Sequence, residues 1–139
     1  MNVYITFVLL LFLCFGRPTR GSTCECISYL IAENGLSKEN RISSIEYDIE
    51  DNNCDGDGVM KCKNYCVEMY EELTDNGKIC SIMPGNDRKV ADWMCEELKQ
   101  NVCNARVGVF VQSCGSDPVD TGFRFKETLC CKSQKSIIC

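Results

Sequence analysis

Cysteine carries most of the possible chemistry in this chain. Its 139 residues include 13 cysteines and no histidine. Cys14 lies in an apolar run near the N-terminus, and twelve cysteines follow that run. The twelve are Cys24, Cys26, Cys54, Cys62, Cys66, Cys80, Cys95, Cys103, Cys114, Cys130, Cys131 and Cys139. The apolar run is typical of a signal for export from the cell. An even number of thiols after such a signal predicts six disulfide bonds.

The spacing of these cysteines restricts their pairing without fixing it. Cys130 and Cys131 are adjacent, so we do not expect them to pair with each other. Cys62 and Cys66 lie one helical turn apart, and we expect them to reach different partners. The remaining connectivity stays open, because twelve cysteines allow roughly ten thousand pairings.

Closely spaced thiols could also bind zinc. The candidate ligand pairs are Cys24-x-Cys26, Cys62-x3-Cys66 and Cys130-Cys131. Structural zinc sites favour Cys-x2-Cys units and often include histidine, which this chain lacks. We therefore predict disulfides at these positions and no metal.

One acidic loop is similar to a calcium site. Residues 51–56, Asp-Asn-Asn-Cys-Asp-Gly, match the first six positions of an EF-hand loop. The twelfth position should supply a bidentate glutamate, but it is Cys62. The loop is better explained as an acidic cap on the following helix, and we predict no cofactor.

The absence of histidine also limits catalysis. It excludes Ser–His–Asp and Cys–His nucleophile systems, and it excludes the His–Asp pair of secreted phospholipases A2. Two carboxylate pairs remain, Glu71-Glu72 and Glu96-Glu97. Neighbours on a helix point about 100° apart, so we interpret both pairs as solvated helix surface. We predict no catalytic residues and no enzyme activity.

Four further side chains have both a functional and a structural interpretation. Lys61 and Lys63 lie close to Tyr65 in the sequence, a basic–aromatic cluster of the kind that channel-blocking surfaces use. The alternative is a solvated helix face. The single tryptophan, Trp93, lies beside the apolar stripe of a predicted helix, where we expect it to pack at the edge of the core; the alternative is an exposed contact with a partner.

The first 21 residues are predicted to be a signal peptide. Residues 3–15 are almost entirely apolar, but this run is shorter than the ~20 residues that span a bilayer. Cleavage after Gly21 leaves residues 22–139 as one cysteine-rich extracellular domain, and cleavage after Gly16 is the alternative. The expected protein is secreted and has no membrane span.

The charge of the chain bears on its partners. The formal net charge is −5, and losing Arg17 and Arg20 with the leader lowers it to −7. An acidic protein is poorly suited to binding nucleic acid or anionic lipid. The net negative charge permits a cationic partner.

Two helices are predicted from apolar residues at helical spacing. The first carries Cys62, Cys66 and Tyr70 on one face, follows Asp55 and Asp57, and is ended by Asn76-Gly77. The second is predicted over residues 88–101, capped by Asp87. Its apolar stripe is Ala91, Met94, Cys95, Leu98 and Val102.

Three to four short strands complete a predicted α+β domain. Residues 22–32 and 42–49 are rich in apolar and β-branched side chains, and together they predict a hairpin with a long polar loop. Residues 107–114 and 122–131 are the other strand candidates. We therefore expect a small disulfide-rich fold with two helices.

The order of the cysteines resembles that of a known group of arthropod proteins. It runs Cys24-x-Cys26, Cys54-x7-Cys62-x3-Cys66-x13-Cys80, Cys95-x7-Cys103-x10-Cys114, then Cys130-Cys131-Lys132-x6-Cys139. This pattern is similar to that of insect follicle-cell proteins. It resembles more closely the centipede venom proteins of the scoloptoxin type, a match supported by Arg106-Val107-Gly108-Val109 and Thr121-Gly122-Phe123.

The resemblance implies a secreted venom toxin that acts on voltage-gated ion channels or another extracellular protein of a target animal. We expect this protein to be a monomer. The alternative is a structural or binding protein of an egg covering or haemolymph. The acidic charge disfavours plugging of a channel pore, so we expect an effect on gating. The resemblance assigns no binding residue.

Overall fold

The structure is a computed structural model that describes residues 23–49 and 54–139. The predicted signal peptide, both cleavage positions and residues 51–53 of the calcium-type loop lie outside these residues. Within the described ranges, no helix is long and apolar enough to cross a membrane. The predicted α+β class with two helices is confirmed.

Two α-helices and seven strands form the described part of the chain. They are β1 (Thr23–Leu30), β2 (Arg41–Asp48), α1 (Gly56–Leu73), α2 (Val90–Leu98), β3 (Val102–Ala105), β4 (Val107–Ser113), β5 (Val119–Arg124), β6 (Leu129–Lys132) and β7 (Lys135–Ser136). A 3-10 turn, Lys38–Asn40, precedes β2. The strand count exceeds the three to four predicted, because several strands are too short to give a pattern of their own.

The larger sheet is antiparallel, with strand order β2-β1-β4-β5. The predicted β1–β2 hairpin is confirmed, with Cys24 opposite Tyr47 and Cys26 opposite Ile45. On β1, Cys24 and Cys26 face the main core, while Ile27 lies in a smaller cluster on the opposite face. This alternation follows from the two-residue period of a strand.

The smaller sheet has the order β3-β6-β7 and corrects one prediction. Residues 122–131 do not form a single strand: β5 ends at Arg124, and β6 begins at Leu129 in the second sheet. The chain leaves the first sheet between them, where the Lys126 N–H donates to the Gly77 carbonyl at 2.9 Å. The Glu127 carboxylate accepts the Ile79 N–H at 2.9 Å. These two polar residues bond to another loop instead of extending β5.

Helix α1 follows its sequence pattern closely. Asp55 caps the N-terminus, where its side chain accepts the Gly58 N–H at 2.9 Å. Cys62, Cys66 and Tyr70 are buried, which confirms the predicted face. The helix ends at Leu73. The left-handed turn that follows it is longer than predicted, because residues 75–77 all have positive φ.

Helix α2 is shorter than predicted, and its cap differs. It covers Val90–Leu98 with Lys89 at the N-cap, so Asp87 does not cap it. The turn before it is closed by Asn86, whose side-chain oxygen accepts the Arg88 N–H at 3.0 Å. Lys99 ends the helix with φ 55°, and Val102 belongs to β3. Within the helix the predicted stripe is buried, namely Ala91, Met94, Cys95 and Leu98.

The main core lies between the larger sheet, the two helices and the smaller sheet. Eight of its buried members come from the two helices, among them Tyr70 and Met94. Trp93 is half-buried and packs against this core, as predicted. Disulfide sulfurs occupy much of the core, so covalent links and apolar packing stabilise the same volume.

We expect Gly77→Ala to lower the free energy of unfolding by about 2 kcal/mol or more. Gly77 has φ +83°, and an added Cβ would lie 3.2 Å from Phe123 Cζ and 3.4 Å from the Arg124 carbonyl oxygen. Gly35→Ala is the matched control, because Gly35 has φ +86° with no described atom within 4 Å of that Cβ position. Urea unfolding of both variants measures the difference. Equal losses would contradict a role for the contacts.

Candidate binding surface

The structure joins all twelve predicted cysteines in six disulfides. The pairs are Cys24–Cys62, Cys26–Cys66, Cys54–Cys114, Cys80–Cys139, Cys95–Cys131 and Cys103–Cys130. Neighbouring Cys130 and Cys131 reach different partners, and so do Cys62 and Cys66. Each α-helix is therefore linked covalently to a strand, which fixes the surface that the helices present.

Two adjacent bridges attach α1 to β1. Residues two apart on a strand share a face, as do residues four apart on a helix, so Cys24 and Cys26 can meet Cys62 and Cys66 in parallel. All four are fully buried, and the Cys24 and Cys66 Sγ atoms lie 3.7 Å apart without being bonded. Helix α1 cannot slide or rotate on the sheet without breaking a bridge.

The same sulfurs have the proximity of a metal site. The Sγ atoms of Cys24, Cys62 and Cys66 all lie within 4.8 Å of one another. Metals are bound by thiolates, and each of these sulfurs is bonded to another sulfur. The arrangement is therefore that of paired disulfides, in line with the sequence prediction.

The predicted basic–aromatic cluster divides between two sides of α1. The Tyr65 ring packs edge-on against Tyr47, with ring centroids 4.8 Å apart. Lys61 is exposed one turn before Tyr65, on the same side of the helix. Lys63 is half-buried and points elsewhere, since residues two apart on a helix do not share a face. Only Lys61 and Tyr65 can act together.

Lys63 contributes to a different electrostatic group. The pKa of the Asp120 carboxyl is held below its ordinary value, chiefly by the hydrogen bond from Arg124, with a smaller contribution from Lys63. Arg124 also lies over the Phe110 ring, with its guanidinium carbon 5.7 Å from the ring centroid. Lys63 therefore interacts electrostatically with Asp120 on β5.

The exposed side of α1 near its C-terminus is strongly acidic. Glu68, Glu71 and Glu72 are spaced i, i+3 and i+4 on the helix, which puts their carboxylates along one face. Asp75 lies two residues beyond Leu73 with φ 47°, so the turn that follows the helix places it in the same cleft. All four are exposed. Glu71 and Glu72 are solvated, as predicted, but they belong to a longer stripe.

A loop borders this stripe and forms a groove with it. Ile82 and Pro84 line the same cleft as the acidic residues, and the cleft has a volume of about 440 Å³. The loop is closed by a bridge between Ile82 and Lys89 and by the Met83 N–H, which donates to the Arg88 carbonyl at 3.0 Å. We call this cleft the acidic groove; it is lined by Glu68, Glu71, Glu72, Asp75, Asn76, Ile82 and Pro84.

The charge of the acidic groove is only partly balanced. Lys78 Nζ pairs with Asp75 at 2.5 Å, which lowers the pKa of the Asp75 carboxyl and raises that of the Lys78 amine. The last turn of α1 contains no Lys or Arg, so no cation within that turn offsets the negative end of the helix dipole. The groove is therefore an anionic surface at the negative end of a helix.

Exposed isoleucines adjoin one disulfide beside the groove. Ile82 is two residues from Cys80, and Ile137 and Ile138 directly precede Cys139, the partner of Cys80. Their exposed fractions are 61%, 61% and 43% respectively. Lys89 Nζ donates to the Cys139 carbonyl at 2.7 Å and ties the same two segments together. The bridge thus holds apolar side chains at the surface.

The sequence interpretation missed the acidic groove. It takes Glu71 and Glu72 only as a pair, although the i, i+3, i+4 spacing of Glu68, Glu71 and Glu72 is present in the sequence. The contribution of Ile82 and Pro84 had no such signal, because their position depends on tertiary contacts.

The resemblance to scoloptoxin-type proteins stays a prediction from the order of the cysteines and two short segments of sequence. Comparisons with known protein families, with characterised proteins and with solved structures find no match to this chain.

Proposed function

We propose that this chain is a secreted, toxin-like protein that acts by binding an extracellular target, and that the target is a voltage-gated ion channel. The observation that supports this most is the set of six disulfides linking helices, strands and C-terminus. Such bonds persist in oxidising surroundings outside the cell. The lack of histidine favours binding over catalysis.

A cross-linked scaffold suits a protein that must act in a foreign body fluid. A surface that is already rigid loses little conformational entropy when it binds, which increases affinity. The same links reduce opening of the chain, and proteases cleave opened segments. The resemblance in cysteine order to centipede venom proteins is consistent with this role.

The charge favours an effect on gating over plugging of the pore. A plug for a cation channel needs a protruding cation, whereas this protein is acidic overall. Voltage sensors are rich in arginine, and a shift of their equilibrium changes the voltage at which the channel opens. An acidic ligand that binds one sensor state better than another would move that voltage.

We expect the purified oxidised protein, at micromolar dose, to shift the activation midpoint of a voltage-gated potassium, sodium or calcium current. Reduced and alkylated protein is the control, and it should have no effect, because the binding surface depends on the disulfides. Absence of any effect on all three current types would contradict the channel proposal.

Tissue of expression tests the wider assignment independently. A transcript confined to a venom gland supports the toxin. A transcript confined to the ovary would contradict it and would favour a role in an egg covering.

A further inference from the structure

We infer that the apolar surface formed by Ile82, Ile137 and Ile138, together with the adjoining acidic groove, is the docking surface for a basic segment of the extracellular partner that also carries apolar side chains. This inference rests on the proposed binding function and names the part of the surface that performs it. It commits to a cationic protein segment as the occupant.

The apolar part of the argument concerns exposure and rigidity. Single exposed apolar side chains are ordinary, but here three isoleucines lie within two residues of one disulfide, Cys80–Cys139. Ile82 also forms a wall of the acidic groove. Because the bridge holds both segments in place, burying these side chains would require little further ordering of the backbone.

The charge identifies the occupant. Glu68, Glu71 and Glu72 line one wall, and Asp75 is the member that Lys78 partly neutralises. Negative potential from the end of α1 adds to the same site. Anionic lipid and nucleic acid would be repelled. A segment with arginine or lysine beside leucine or isoleucine could pair its cations with the carboxylates and pack its apolar side chains against the isoleucines.

The size of the groove sets how much of the partner it can hold. It is an open cleft of about 440 Å³, so we expect it to take extended cationic side chains of a segment that lies across the surface. Ile137 and Ile138, which the Cys80–Cys139 bridge ties to the segment of Ile82, are the further side chains that apolar residues of the same segment would contact.

The test is fluorescence anisotropy of a labelled peptide built from Arg-Leu-Leu-Arg repeats, titrated with the oxidised protein. We expect saturable binding that weakens as salt rises, because the attraction is screened. A peptide with glutamate in place of arginine should not bind. Equal binding of both peptides would overturn the inference.

Charge reversal localises the site. Glu71→Lys/Glu72→Lys should weaken binding of the arginine peptide by roughly tenfold or more. The matched control is Glu33→Lys/Glu97→Lys, which changes the net charge equally at exposed positions outside the groove. The control should change affinity by less than about threefold. Equal weakening by both double variants would mean that only net charge matters, and it would overturn the inference.

A third variant tests the apolar surface without changing charge. Ile82→Ala should weaken peptide binding severalfold, because an exposed apolar anchor is lost. Retention of full affinity would show that Ile82 is not part of the docking surface.

The channel assay separates this inference from the proposed function. If the wild-type protein shifts a current and Glu71→Lys/Glu72→Lys does so equally, the docking surface is wrong and the channel function stands. If no current responds but peptide binding depends on the groove as stated, the channel function is wrong and the docking surface stands.

Discussion

Replacing Cys26 and Cys66 together by alanine is expected to lower the free energy of unfolding by roughly 3–4 kcal/mol. The bridge spans a separation of 40 residues, but the adjacent Cys24–Cys62 bridge already holds the same two segments together in the unfolded chain. Chain entropy therefore contributes only about 2 kcal/mol. Both cysteines are fully buried, so their truncation also leaves small voids in the core, which adds roughly 1–2 kcal/mol.

Cys80→Ala/Cys139→Ala is the informative comparison. This bridge spans 59 residues and has no bridge directly beside it, so chain entropy predicts a larger contribution than for Cys26–Cys66, roughly 3–4 kcal/mol. Its two cysteines are exposed, however, and their removal leaves no void in the core. We therefore expect the two double variants to lose similar free energies of unfolding, within about 1 kcal/mol, as measured by urea unfolding without reductant. A clearly larger loss for Cys80→Ala/Cys139→Ala would show that loop entropy outweighs core packing here.

The parts of the fold that could be predicted are those with a strong local pattern. Helix α1 has cysteines and Tyr70 at helical spacing, and the β1–β2 hairpin has alternating or β-branched residues on both strands. In these elements, local preference and burial point to the same structure. The ends of α2 were less predictable, because its boundaries depend on backbone bonds in the loop before it.

The smaller sheet could not be predicted from local pattern. Its strands β3, β6 and β7 have four, four and two residues, too short for a clear alternation. Two bridges, Cys103–Cys130 and Cys95–Cys131, hold β6 in place. Their pairing cannot be read from sequence, because the possible connectivities are too many.

The candidate surface also has one part that local sequence predicts and one part that only tertiary structure defines. Three members of its acidic wall, Glu68, Glu71 and Glu72, belong to one helix and are predictable from their spacing, whereas Asp75 lies in the turn after that helix. Its other wall depends on Ile82 and on the bond between Cys80 and Cys139, which are 59 residues apart. A surface built from distant segments has no local signature, so only tertiary structure places its two halves together.

Tyr70→Ala is expected to lower the free energy of unfolding by about 3–5 kcal/mol. Tyr70 is fully buried on α1. Its ring lies 6.1 Å from Phe125 in an edge-to-face arrangement and 6.3 Å from Phe123, so truncation removes aromatic contacts as well as volume. Urea unfolding at neutral pH measures the loss. A loss below about 1 kcal/mol would contradict a central role for this ring.

Tyr70→Phe separates the hydroxyl from the ring. The hydroxyl lies 3.4 Å from Ser43 Oγ, which is 2.7 Å from Ser28 Oγ, and its loss should lower the unfolding free energy by about 1 kcal/mol.

Burial raises the pKa of Tyr70 above its ordinary value, against smaller opposing hydrogen bonds from the two serines. Above about pH 10 the unfolded chain therefore loses this proton first, and stability falls as pH rises toward the folded-state pKa. We expect the free energy of unfolding to fall less for Tyr70→Phe than for the wild type when the pH rises from neutral to above about 10. An equally steep fall in both proteins would show that Tyr70 does not cause the alkaline loss of stability.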